Sequence, residues 1–162
     1  LYPLDVERAF KKLDQIKKHV AVWWTTGAQS AQVLIDKEAV LGTAWNGRYY
    51  GAIKNGAPVL IEWNQGSMKE SAFGIPKGAK DAYWGQKFLA LAAEAPAQGA
   101  YANIIGYPGL NLEAAKYTDA AIVPYLPTAP QNFPLQWWTD LAWWNANAKA
   151  MEERWQRWML QK

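Results

Sequence analysis

Phe10, Leu13, Ile16 and Val20 recur at helical spacing behind Asp5. That spacing predicts an amphipathic helix over residues 5–18, with Asp5 as its N-cap or first-turn acid. The pattern then becomes continuous: residues 19–24 form a short apolar run of strand type, and Thr25-Thr26-Gly27 ends it in a polar turn. Residues 28–35 read as a helix broken by Asp36-Lys37-Glu38, and residues 39–45 as a second buried strand. Asn46-Gly47 turns the chain into a helix over 48–55 that Gly56 closes. Residues 59–63 and 73–76 complete the expected strands, the latter ended by Pro76-Lys77-Gly78. Asp81 can cap a helix running through Ala92, with Phe88, Leu89 and Leu91 on its apolar side. A shorter helix is expected over 96–103, a turn at Gly106-Tyr107-Pro108-Gly109, a loop-rich stretch with four prolines over 124–134, and a final helix over 146–160. Strands alternating with helices indicate an α/β protein. No internal repeat is visible, and strand-rich sequence gives way to helices near Gly66-Ser67.

Composition narrows the function classes. The 162 residues suffice for one ordinary domain, and 51% of them are apolar, so a core is available. A net charge of +3, with lysines and arginines scattered rather than striped, argues against nucleic acid as a partner. The one local cluster, Lys11, Lys12, Lys17 and Lys18, reads as the solvated face of the first helix. With no cysteine, neither a disulfide framework nor a thiolate metal site can form, and the compartment is left undecided. No apolar run approaches the roughly 20 residues that span a bilayer. Leu1-Tyr2-Pro3-Leu4 has none of the character of a signal peptide, and the lack of an initiating Met suggests a fragment or a processed chain. Eleven tryptophans are the unusual feature. The pairs Trp23-Trp24, Trp137-Trp138 and Trp143-Trp144 cannot all be internal, so some indoles belong to a surface, a cleft or an interface.

Catalytic chemistry is not written in the chain. The single histidine, His19, opens an apolar run and reads as structural. No cluster of His, Asp or Glu has ligand spacing, so no metal is expected. There is no Gly-x-Ser-x-Gly elbow and no phosphate loop. Glu152 and Glu153 alternate with Arg154 and Arg157 as on a salt-bridged helix face, and the spacing of the acids does not favour a paired-carboxylate glycosidase. No catalytic residue and no cofactor is assigned.

Several segments, in order, carry a resemblance: Tyr2-Pro3-Leu4-Asp5-Val6-Glu7-Arg8-Ala9-Phe10, Trp23-Trp24-Thr25-Thr26-Gly27-Ala28-Gln29, Gly42-Thr43-Ala44-Trp45-Asn46-Gly47-Arg48, Gly56-Ala57-Pro58-Val59, Gly74-Ile75-Pro76-Lys77-Gly78-Ala79, Ile105-Gly106-Tyr107-Pro108 and Glu152-Glu153-Arg154-Trp155. Together they resemble the carboxy-terminal half of periplasmic solute-binding proteins of spermidine/putrescine-type ABC transporters. The resemblance implies an α/β, two-lobed, type II-like periplasmic binding protein fold, with a ligand held between hinged lobes. Residues 1–66 would form part of the second lobe, 67–135 the return into the first, and 136–162 a carboxy-terminal segment and helix near the hinge. It implies a periplasmic location, a membrane permease as partner, and the missing amino-terminal half as a companion polypeptide.

By the same resemblance, the ligand-binding positions are Thr26, Gln29, Trp45, Lys69, Ser71, Tyr107 and Trp144. Trp45 matches a cleft tryptophan beside the Asn-Gly turn, Thr26 a hydroxyl of a cleft-facing turn with Gln29 as its neighbour, and Tyr107 an aromatic that reaches the ligand. Trp144 lies where the returning segment nears the cleft. An indole face offers dispersion to methylene groups and cation–π attraction of about 0.5–2 kcal/mol to an ammonium. One departure stands out. Where the family commonly has a tryptophan and an aspartate, this chain has Lys69 and Ser71. The acid that would pair with an ammonium is absent, and a lysine beside a polyamine opposes binding. The expected solute is therefore polyamine-like or, if Glu70 does not compensate, amino-acid-like or opine-like with a carboxylate. Rival readings are a sensor-coupled receptor or an enzyme on the same two-lobe frame, and an aromatic-rich carbohydrate binder.

Overall fold

The computed structural model describes residues 1–161. The chain divides into two compact units, one made of residues 1–20 with 138–162, the other of residues 21–137.

The first unit rests on two helices, α1 (Val6–Ile16) and α6 (Leu141–Leu160). Each is capped by an aspartate at its head: Asp5 accepts from the Arg8 N–H at 3.0 Å, and Asp140 from the Trp143 N–H at 2.8 Å. The helices are joined by polar contacts in the same order along both. Arg154 forks onto the Glu7 carboxylate, with Nη2 at 2.8 Å, and this holds the Glu7 carboxyl below its ordinary range. The Trp158 indole N–H donates to Asp14 at 2.6 Å, and Lys17 Nζ donates to the Trp158 carbonyl at 2.8 Å. Because the contacts advance together, the helices run parallel. The same residues are stapled by rings: Lys17 lies 4.2 Å above the Trp158 ring and Arg154 4.3 Å above Phe10. The last helix starts five residues earlier than the periodicity predicts, because Asp140 supplies the cap. His19 ends a short 3-10 turn, Lys17–His19, and is exposed instead of opening a strand.

The second unit is mostly helical: α2 (Gly27–Ile35), α3 (Asn46–Lys54), α4 (Ala82–Ala92) and α5 (Ala95–Ile105). A two-residue strand, β1 (Ser67–Met68), pairs with β2 (Trp137–Trp138), where the Trp137 N–H donates to Gly66 at 2.9 Å. Helix α5 is bound to the 3-10 helix Leu112–Tyr117 by side-chain amides: Asn103 donates to the Tyr117 carbonyl at 3.1 Å, and Gln98 accepts from the Asn111 N–H at 2.7 Å. Tyr50, Ile122 and Leu126 form the buried cluster, with Tyr125 packed against it. The proline-rich stretch expected as loop is organised. It holds two 3-10 turns, Val123–Tyr125 and Phe133–Leu135, stapled by the buried Asn132, whose amide donates to Pro124 and Leu126 carbonyls at 2.9 and 2.8 Å. Proline lacks an N–H, so such a stretch cannot satisfy its carbonyls in a ladder, and a side-chain amide does so instead.

The expected strands over 19–24, 39–45, 59–63 and 73–76 are not in any ladder among the described residues. Val40 is fully exposed and Leu60 is 92% exposed. A strand is completed by its neighbour, and none borders these segments within the unit. Similarly, α4 forms as expected, yet Phe88 and Leu91 on its apolar side stand exposed.

Tyr49 is buried, and its hydroxyl has no hydrogen-bond partner among the described residues. Burial also pushes its ionisation above the ordinary range. Such a raised group lends stability that is present below the unfolded value, near pH ~10, and lost as pH rises through the folded one. Tyr49→Phe should therefore raise stability at pH 7 by about 1 kcal/mol and flatten the alkaline fall above pH ~10, as read from urea unfolding at stepped pH.

Candidate functional site

Four of the seven expected ligand positions lie in the second unit around the first turns of α2 and α3. Thr26 is the N-cap of α2: its hydroxyl oxygen accepts from the Gln29 N–H at 3.3 Å, and the Gln29 side chain accepts from the Thr25 N–H at 2.9 Å. This reciprocal arrangement resembles a capping box, so both side chains already serve the helix start while remaining exposed. Trp45 is the N-cap residue of α3 and makes no side-chain capping bond. Its ring lies over the beginning of α2. A Cβ on Gly27 would stand 2.5 Å from Trp45 Cζ3, 2.8 Å from Cε3 and 3.1 Å from Arg48 Nε. Trp24 meets Trp45 edge-on with centroids 6.0 Å apart, and its indole N–H donates to the Thr43 hydroxyl at 3.3 Å.

Tyr107 completes the group. It follows Gly106, which caps α5 at φ 70°, a left-handed conformation that favours glycine. A Cβ on Gly47, one residue into α3, would come within 2.7 Å of the Tyr107 ring, so the ring rests on the bare first turn of α3. Burial pushes the Tyr107 hydroxyl above its ordinary range, the Arg48 charge pulls it down, and Tyr101 pushes it up. Arg48 is thus a neighbour of both Trp45 and Tyr107. It makes no ion pair among the described residues and is exposed.

The arrangement is a shelf of two indoles and a phenol with one guanidinium beside it. Arg48 was not singled out by sequence reasoning, although it closes the Trp45-Asn46-Gly47-Arg48 segment. Its signal was positional: one turn into a helix whose head carries Trp45, its side chain returns to the tryptophan's side. Trp24 was likewise visible only as half of a tryptophan pair. The group can hold an apolar chain against ring faces and meet an anionic end with Arg48 and the Tyr107 hydroxyl.

The other three positions are not brought to this group by any bond or ring contact among the described residues. Lys69 and Ser71 are exposed in the irregular stretch after β1. Trp144 belongs to the first unit. Its indole N–H donates to the Tyr2 hydroxyl at 2.8 Å, and it lines an open groove of about 490 Å³ with Leu4, Phe10 and Trp155. Among the described residues there is no cluster of His, Asp and Glu fit to hold a metal, and no helix is long and apolar enough to cross a membrane.

A family model described as bacterial extracellular solute-binding protein matches residues 2–133. The chain is 30% identical over 156 residues to a gamma-aminobutyric acid-binding protein of Pseudomonas aeruginosa, covering 96% of this chain and 44% of that protein. It is 28% identical over 116 residues to the spermidine/putrescine-binding periplasmic protein of Escherichia coli K12, covering 70% and 33%. The solved structure of the Atu4243-GABA receptor superimposes with a TM-score of 0.88 at 39% identity, over 100% of this chain and 50% of that one. The chain therefore spans half or less of the length of these proteins. All of them are binding proteins or receptors by name.

The Gly27 contact makes a test of the shelf. Gly27→Ala should displace the Trp45 ring, giving a red-shifted tryptophan emission that Trp45→Phe abolishes. An unchanged spectrum would mean that Trp45 does not rest on Gly27.

Proposed function

Because this chain belongs to the bacterial extracellular solute-binding protein family, a family of ABC-importer solute receptors, we propose that it captures a carboxylate-bearing, amino-acid-like or opine-like solute. The single observation that carries this is Arg48, unpaired among the described residues and set between Trp45 and Tyr107. A guanidinium offers a planar fork of donors that fits a carboxylate. The same charge disfavours a polyamine. Trp45 and Trp24 give ring faces to the solute's methylene groups, and Tyr107 donates its hydroxyl to the anionic end. Thr26 and Gln29 border the shelf with a hydroxyl and an amide. Lys69 and Ser71, in place of a tryptophan and an aspartate, take away an anchor for an ammonium. The name of a gamma-aminobutyric acid-binding relative supports this class over the polyamines, since that solute carries a carboxylate.

In the whole protein, residues 1–66 belong to the second lobe, 67–135 return into the first, and 136–162 run near the hinge. The part of the fold that this chain does not span supplies strands beside the extended segments, which accounts for exposed Val40, Leu41, Leu60 and Phe73. The solute binds the closed form best and shifts the lobes toward it. The closed form is then recognised by a membrane permease at the periplasmic face. No catalytic step and no cofactor is involved.

Calorimetry of the full-length protein against 4-aminobutanoate and putrescine tests this reading. The acid should bind and the diamine should not. Arg48→Leu should weaken the acid's binding roughly 10- to 100-fold, the loss expected for charge-assisted hydrogen bonds. Preferential binding of putrescine over carboxylated solutes would overturn the reading.

A further inference from the structure

Asn46 sits between Trp45 and Arg48 in sequence, and nothing above gives it a part in binding. Its side-chain amide serves two backbone carbonyls. Nδ2 donates to the Gly106 carbonyl at 2.7 Å and to the Tyr125 carbonyl at 3.3 Å. Both acceptors lie where helical segments end: Gly106 caps α5 and Tyr125 is the last residue of a 3-10 turn. Terminal carbonyls lack partners within their own helix and carry partial negative charge, so an amide that serves two of them joins three elements at once. One carbonyl belongs to the residue immediately before Tyr107. On the other flank of the same turn, Gly47 has no side chain, and Ile105 and Tyr107 come right against it: a Cβ there would stand 2.5 Å from the Ile105 carbonyl oxygen. The Tyr107 loop is thus pulled in by Asn46 and admitted by Gly47.

We propose that Asn46 is the positioning residue that latches the Gly106-Tyr107 loop to the head of α3 and so sets the Tyr107 hydroxyl beside Arg48. The assignment deepens the proposed function and rests on it for its consequence in binding. Asn46 touches no solute and acts only through Tyr107. Substitution to alanine removes both donated bonds while retaining a good helix former at the first position of α3. Glutamine keeps the amide on a longer arm and serves as the conservative control.

Two readouts on the full-length protein test it. The first needs no solute: the alkaline titration of Tyr107, taken as the absorbance difference against Tyr107→Phe. In Asn46→Ala the Tyr107 hydroxyl should move back toward the ordinary tyrosine value near ~10, and in Asn46→Gln it should stay closer to the parent. An unchanged titration in Asn46→Ala overturns the latch. The second is calorimetric affinity for 4-aminobutanoate in a double-mutant cycle. Asn46→Ala should weaken binding roughly tenfold when Tyr107 is present and less than about twofold when Tyr107 is already alanine, as expected for coupled neighbours. Equal losses in both backgrounds overturn it. If the parent protein does not bind 4-aminobutanoate, the carboxylate reading fails by itself, and the titration still decides the latch. Should Asn46→Ala not fold, Asn46→Ser, which keeps one donor, carries the same readouts.

Discussion

The distance at which the first turn of α3 meets its neighbours is the constraint on which the 21–137 unit depends. Protein interiors are close-packed, so a single methyl group decides whether two surfaces touch. At Gly27 the missing methyl lets an indole lie over a helix head, and at Gly47 it lets a phenol lie against one. Hydrogen bonds then fix what sterics permit. Asn46 draws in the end of α5 and the turn at Tyr125, and Tyr125 packs on the buried cluster around Tyr50. The shelf is thereby continuous with the core rather than carried on a free loop.

Its chemistry follows from what surrounds one cation. Net charge says little about a ligand when the charges are spread over a surface. A guanidinium neighbouring a tryptophan and a tyrosine is different, because its planar fork of donors stands beside ring faces. Burial pushes the ionisation of the Tyr107 hydroxyl up, and the nearby Arg48 charge opposes that. In the proposed reading, the donor and the cation would meet an anionic group and the neighbouring rings the hydrocarbon attached to it.

The sequence made the helices legible because their signals are local. Asp5 caps α1 as expected, whereas Asp81 makes no side-chain capping bond at α4, and Asp140, which caps α6, went unread so that the last helix was expected to begin later. The family was legible as well, from segments such as the one ending at Arg48. Strands were less so. The runs around Val40 and Leu60 have strand composition, but a ladder needs a neighbour that this chain does not place beside them. Order in the proline-rich stretch escaped notice because its organising bond, from Asn132, has no periodicity to betray it. In the shelf, Trp45 and Tyr107 stood out as large rings beside turn residues. Arg48 and Asn46 did not, because their importance comes from contacts with residues about sixty positions away.

The first unit has a consequence for biosynthesis. Its two helices are parallel, so the whole of residues 21–137 must be made between them. An eleven-residue helix such as α1 is marginal in water by itself. Until Trp158 and Arg154 emerge, Glu7 and Asp14 lack the partners they have here, and Phe10 lacks its cover. Helix α1 is thus among the last segments of residues 1–161 to become ordered. The continuous unit can fold ahead of it, and a stop codon anywhere before α6 would leave α1 without a mate.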